Sequence, residues 1–281
     1  AAQGGGFGLE PWVSDGTAAG TSVIDLMPGA PGSNPTEFTI AGGTAYFSAN
    51  EPPNNIGGEI FATDGTVAGT LLVTNSTYAY SRPVFLRPFG SLISYVSSDF
   101  TYGAELWVTN AAVGAEALYA DFDPGSSGGN PIGAVPLAGG ILCIAQRQGI
   151  GREPFFSDGT PNGTFVLKDI VPGSGGSNPG NPVVFQNHAY FAANDGLHGY
   201  ELWVTDGTPA GTQLYWDLAA PPQNQSSYPR GFVSLGDRAL FAANDGLHGT
   251  EVWVSDGSAL GTQRLTDMLG IGSSVGSGQW Q

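Results

Sequence analysis

Basic residues are almost missing from this sequence. Its 281 residues include eight lysines and arginines against 24 acids, a formal net charge of −16, and Lys168 is the single lysine. A surface of that sign repels phosphate backbones and anionic lipid, which excludes nucleic acid and the membrane surface as partners. Cysteine is scarcer still. Cys143 has no second thiol to pair with, so an intramolecular disulfide is excluded, and the apolar run "GGILCIAQ" around it marks a small core residue. No apolar stretch approaches the roughly 18 residues of a membrane span, so no membrane insertion is expected. A Gly-x-Ser-x-Gly elbow, a P-loop, His-Glu-x-x-His and a Cys–His pairing are all absent as motifs.

What is present is turn chemistry. The 45 glycines and 20 prolines are spread along the chain, and 41% of residues are hydrophobic. Many short strands joined by tight turns around a real core have this composition. The opening Ala1-Ala2-Gln3, without methionine or an apolar leader, fits a mature form after signal-peptide removal.

Six copies of one unit fill the chain. Their anchors are Glu10, Glu59, Glu105, Glu153, Glu201 and Glu251, spaced 49, 46, 48, 48 and 50 residues apart. Two positions after each anchor stands an aromatic: Trp12, Phe61, Trp107, Phe155, Trp203 and Trp253. A Ser/Thr-Asp-Gly-Thr/Ser turn follows in five copies, and the third has "TNAA" from Thr109. The fifth copy shows four strand-like runs, "VVFQ", "AYFAAN", "YELWVT" and "TQLYWDL", each bounded by Gly, Pro, Asn or Asp. Four strands per period of 40 to 50 residues is the pattern of a propeller blade. A solenoid is the structural rival, but uniform hairpin units favour radial closure. The sequence therefore predicts an all-β, six-bladed β-propeller with four-stranded blades, forming one domain over residues 1–281. The first copy begins at its third strand, so the closing blade is expected to be shared between the N- and C-termini, with Trp280 as a packing anchor.

The string "ELWVTDGTPAGT" at Glu201, with "EVWVSDGSALGT" at Glu251 and "EIFATDGTVAGT" at Glu59, resembles the ELWxxDGT repeat family of secreted and surface-exposed bacterial proteins. That resemblance covers nearly the whole chain and implies a secreted or cell-surface propeller. It implies no particular reaction.

Sixteen of the 24 acids fall at three repeat positions: the anchor glutamates, the turn aspartates and the aspartates that end the fourth strand. The turn aspartates Asp15, Asp64, Asp158, Asp206 and Asp256 read as carpentry, bonding the amides of their own hairpins. The anchor glutamates admit three readings: capping of backbone amides, a calcium site in each blade, or catalysis. Asp, Asn and backbone carbonyls in a Gly-rich loop suit calcium. The metal candidates are Asn194, Asp195, Glu201 and Asp217 in the fifth copy, with Asn244, Asp245, Glu251 and Asp267 in the sixth. The ligand-binding candidates are the residues before proline, Asn34, Arg82, Asn130, Asn178 and Tyr228, where Arg82 and Tyr228 break the pattern, together with His198 and His248. No cofactor is required on this reading, with calcium as the one candidate. The expected function is a noncatalytic, extracellular adhesion or binding propeller that recognises a glycan or an extracellular protein. The alternatives are a structural unit of a larger, self-assembling surface array and a polysaccharide lyase or hydrolase.

Overall fold

The computed structural model describes residues 1–4, 6–29, 31–51, 58–75, 82–219, 225–258 and 260–267. Backbone contacts divide the chain into two compact units, Ala1–Pro131 and Ile132–Gln281, each carrying three repeats. The fold is a six-bladed β-propeller, and among the described residues no helix is long and apolar enough to cross a membrane. Each complete blade is an antiparallel meander of four strands, here lettered a to d.

In the first unit, the second blade contains Thr36–Ala41, Thr44–Asn50, Gly58–Thr63 and Leu71–Leu72, and the third contains Val84–Phe89, Leu92–Asp99, Gly103–Thr109 and Ala117–Ala120. In the second unit, the fourth blade contains Ile132–Leu137, Gly140–Arg147, Gly151–Ser157 and Phe165–Val166. The fifth contains Val183–Phe185, His188–Asn194, Tyr200–Thr205 and Gln213–Trp216, and the sixth Arg230–Leu235, Arg238–Asn244, Thr250–Ser255 and Gln263–Arg264.

The first blade is the informative exception. Its third and fourth strands are Phe7–Glu10 with Trp12–Val13, then Ser22–Val23. The head also supplies a second strand, Ala2–Gly4, in which Ala2 faces Glu10. The same register recurs in the other blades as Ala49 opposite Glu59, Ser97 opposite Glu105, Ala145 opposite Glu153, Ala193 opposite Glu201 and Ala243 opposite Glu251. The indole N–H of Trp12 donates to the Ala2 carbonyl at 2.9 Å, as that of Trp253 donates to Ala243 at 3.0 Å. The expected share of the tail in this blade, including Trp280, lies outside the described residues.

The aromatic after each anchor packs across the pleat. It stands opposite Phe47, Tyr95, Cys143, Phe191 or Phe241 on strand b. Cys143 thus fills a slot that other blades give to a ring, and it is fully buried opposite Phe155. Blades then bury these faces against their neighbours within a unit: Tyr46 and Ile60 pack with Ile93 and Tyr95, and Leu202 and Val204 pack with Phe241 and Trp253. Truncating such a core aromatic costs about 3–5 kcal/mol.

Candidate functional site

The end of each blade where strand c begins gathers the anchor glutamate, the b–c hairpin and the connection to the next blade. In the fifth blade Glu201 is fully buried. Its Oε1 accepts the Ser227 amide at 2.8 Å, and its Oε2 accepts the Leu218 amide at 2.9 Å and the Ser227 hydroxyl at 2.5 Å. Three other blades repeat this clasp. Glu10 accepts from the amide and hydroxyl of Ser33 and from the Leu26 amide. Glu153 accepts from the amide and hydroxyl of Ser177 and the amide of Val171. Glu105 accepts three amides, those of Phe122, Asp123 and Gly129. Each of these four glutamates ties its own blade to the segment that starts the next one. In the second and sixth blades, Glu59 and Glu251 accept from threonine hydroxyls at the end of their own strand d, Thr74 and Thr266.

Burial works against the charge these carboxylates carry. It raises Glu153 and Glu201, and it lifts Glu105 to about 7 although three amides favour the ionised form. The serines at 33, 177 and 227 were invisible in the sequence as partners. Their one signal is position: each directly precedes the residue before proline.

The pre-proline residues themselves are held in left-handed backbone. Asn34, Asn130, Asn178 and Tyr228 have φ of 51°, 45°, 48° and 47°. Asparagine tolerates that region better than most residues. The three asparagine side chains turn back onto their own loops, donating from Nδ2 to the carbonyls of Gly32, Gly128 and Gly176 at 3.2, 3.1 and 3.3 Å. Tyr228 makes no such bond among the described contacts; its ring stacks on Tyr200, with centroids 5.7 Å apart. Arg82 is exposed.

The two "NDGLHG" hairpins are nearly superimposable in their bonding. Asn194 Oδ1 accepts the Gly196 amide, Asp195 Oδ1 accepts the amides of Leu197 and His198, and Asp195 Oδ2 lies 2.7 Å from His198 Nδ1. Asn244, Asp245 and His248 repeat every one of these contacts. Burial alone would raise Asp195, but the amides and imidazole of the loop outweigh it and hold the carboxyl below its ordinary range. The bond to Asp195 in turn lifts the His198 imidazole. The sixth blade adds a cation: Arg264 reaches Asp245 at 3.2 Å and Asp267 at 3.4 Å. Asp217, the counterpart of Asp267, is exposed.

For the metal candidates this geometry means that donors are largely committed. Asn194, Asp195, Asn244, Asp245 and Glu201 accept from protein groups, Glu251 accepts the Thr266 hydroxyl, and Asp267 meets Arg264. Among the described residues, no group of three or more His, Cys, Asp or Glu side chains is arranged to hold a metal ion.

The turn aspartates are wired locally. Asp206 Oδ1 accepts the amide and hydroxyl of Thr208 at 2.9 and 2.7 Å, and the Thr208 hydroxyl accepts the Gly211 amide at 3.0 Å. Asp15, Asp64, Asp158 and Asp256 repeat the arrangement. In the third copy Asn110 Oδ1 takes the Ala112 amide in the same way. The hydrogen bond from the threonine or serine hydroxyl is the main reason each of the five aspartates sits below its ordinary range.

No protein-family model matches the sequence, and no curated protein matches it. Solved structures do share the fold. A puromycin hydrolase superposes on 90% of this chain and 41% of its own, at 16% identity and a TM-score of 0.55. A puromycin-hydrolysing peptidase of Mycobacterium tuberculosis gives 92%, 41%, 12% and 0.53, and an acylaminoacyl peptidase of Pyrococcus horikoshii gives 92%, 41%, 12% and 0.50 in the same order. The chain thus spans about two-fifths of the length of each of these three chains. At these identities the likeness establishes the fold. The expectation of a noncatalytic adhesion propeller for glycans or proteins is corrected here: the solved structures named above are a puromycin hydrolase and two peptidases.

Proposed function

We propose that this chain is the propeller part of a peptidase-type protein, receiving peptide or aminoacyl substrate for a catalytic domain. The observation that carries the reading is the pattern of overlap: nine-tenths of this chain superposes on about two-fifths of a puromycin hydrolase and of an acylaminoacyl peptidase. The charge of −16 supports it, since an acidic domain raises the local concentration of substrates bearing a free ammonium. The ELWxxDGT resemblance supports an extracellular setting for that role.

The test is a calorimetric titration of the purified chain with puromycin and with a short acylated peptide, with product release followed by chromatography. Saturable binding without turnover by the chain alone is the expected result. Failure to bind either compound overturns the reading, and so does hydrolysis by this chain unaided.

A further inference from the structure

One residue breaks the repeat at a position where all its sisters agree. Eleven places after the anchor glutamate, five copies carry threonine: Thr21, Thr70, Thr164, Thr212 and Thr262. Each shares a hydrogen bond of 2.7 to 2.8 Å with the Ser or Thr before its turn aspartate, as Thr212 does with Thr205. The third copy has Glu116 there. It is half-buried, and no hydrogen bond or ion pair joins its side chain to a described residue.

This position faces the preceding blade. Between the fourth and fifth blades, Lys168 Nζ donates to the Thr212 carbonyl at 3.3 Å, and between the fifth and sixth the Tyr215 hydroxyl lies 3.5 Å from that of Thr262. Between the second and third, the Gly114 amide donates to the Val73 carbonyl at 2.9 Å, which seats the turn before Glu116 on strand d of the second blade. The residue matching Lys168 there is Thr74. Its one hydroxyl proton goes to Glu59 at 2.6 Å and its oxygen accepts the Ile60 amide at 2.8 Å, so it has no donor left for Glu116. Where one junction places an ammonium, the other places a second carboxylate near a buried first.

The titratable groups facing Glu116 are Glu59, on strand c of the second blade, and Tyr95, on strand b of the third. Tyr95 is buried and packs with Ile60 and Val73. Burial, with the charges of Glu116 and Glu59, pushes its phenol up, so it stays neutral. Burial and the Glu59 charge likewise raise Glu116. A proton on Glu116 removes one of two like charges and turns an acceptor-only group into a donor.

We infer that the seam between the second and third blades is a proton-operated latch. With Glu116 neutral, the c–d turn of the third blade stays docked on strand d of the second. With Glu116 ionised, like-charge repulsion from Glu59 lifts the turn. The docked form has its full support at low pH and loses it as pH rises above the ordinary carboxyl value of 4.5.

Hydrogen exchange of the Gly114 amide, corrected for the intrinsic pH dependence of exchange, reads the latch. Its protection should fall about two- to fivefold between pH 5 and 8, the span of a part-exposed charge–charge contact. Glu116→Thr restores the residue that five sister turns use, so it should fold, and its Gly114 protection should stay level over this range. Glu116→Gln, which keeps the shape without the charge, should stay level too. Protection that is flat in the parent, or that falls equally in both variants, overturns the latch. Added calcium chloride separates a metal from a proton, and no effect is expected. Protection regained at pH 8 in the parent but not in Glu116→Thr would make the two carboxylates a cation seat and overturn the proton reading.

Discussion

Two sets of carboxylates in this molecule do similar chemistry under opposite conditions. Glu201 is fully buried and accepts donors 17 and 26 residues away. Asp206 sits in a surface turn and accepts from a residue two positions on. Both satisfy backbone amides that would otherwise lack partners. The first joins one blade to the next, while the second shapes a single hairpin. Burial raises the glutamate, and hydrogen bonding lowers the aspartate. The comparison teaches that an acid repeated at every period need not be a catalytic or metal-binding acid, and that reach along the chain decides how much stability depends on it.

The widest gap between the two sets should appear on truncation. Glu201→Ala leaves two buried amides and a buried hydroxyl without their acceptor, and breaking a buried charged network of this kind costs about 3–5 kcal/mol. Urea unfolding measures it. A loss under about 1 kcal/mol, the scale of one net hydrogen bond, would erase the distinction.

Acidity should divide the sets next. Each raised glutamate binds its proton more tightly folded than unfolded, so its contribution is full at low pH and is lost as pH rises from the ordinary 4.5 toward the folded value, about 7 for Glu105. Each lowered aspartate contributes above its ordinary 3.8, and that contribution is lost as pH falls through the depressed folded value. Stability should therefore peak near pH 4–5 and decline on both sides. Urea midpoints from pH 3 to 8 check this, and Glu105→Gln should flatten the neutral limb. A midpoint that climbs from pH 5 to 7 would contradict the burial effect on the glutamates.

The same contrast explains what could be read without coordinates. The blades were legible because the period near 48, the four strands and the aromatic after each anchor are all local patterns. So was the structural duty of the turn aspartates, whose donors lie two residues away. The clasps were not, since Ser33, Ser177 and Ser227 stand 23 to 26 residues from their glutamates and look like ordinary loop serines. Ala2–Gly4 escaped notice because "AQG" has neither β-branched nor aromatic residues, and only the register opposite Glu10 makes it a strand. The asparagines before proline drew attention as ligand groups, yet three of them serve left-handed turns that hydropathy does not reveal.

Within the turn, the glycine should matter more than the acid it faces. A methyl group built on Gly211 would lie 2.1 Å from Asp206 Oδ1, and the same crowding recurs at Gly20, Gly69, Gly163 and Gly261. Gly211→Ala must displace the carboxylate from Thr208, at a cost of about 1–3 kcal/mol. In the double variant with Asp206→Ala the obstruction is gone, so the two losses should fall well short of adding. Strict additivity in thermal melts would show that the glycine is kept for another reason.

The smallest effect should come from the hydroxyl alone. Thr208→Val removes one donor to Asp206 and the acceptor for the Gly211 amide, but all of these groups lie at or near the surface, where water replaces them. A loss below about 1 kcal/mol is expected. The pH profile should nevertheless respond, because the Thr208 hydroxyl is the leading cause of the Asp206 shift. With it gone, Asp206 titrates closer to its ordinary value, and the acid limb of the stability curve becomes shallower by one aspartate. An NMR titration of the Asp206 carboxyl resolves that change. An unaltered titration would mean that the local hydroxyl does not set the acidity of the exposed set, and the contrast with the buried glutamates would then rest on burial alone.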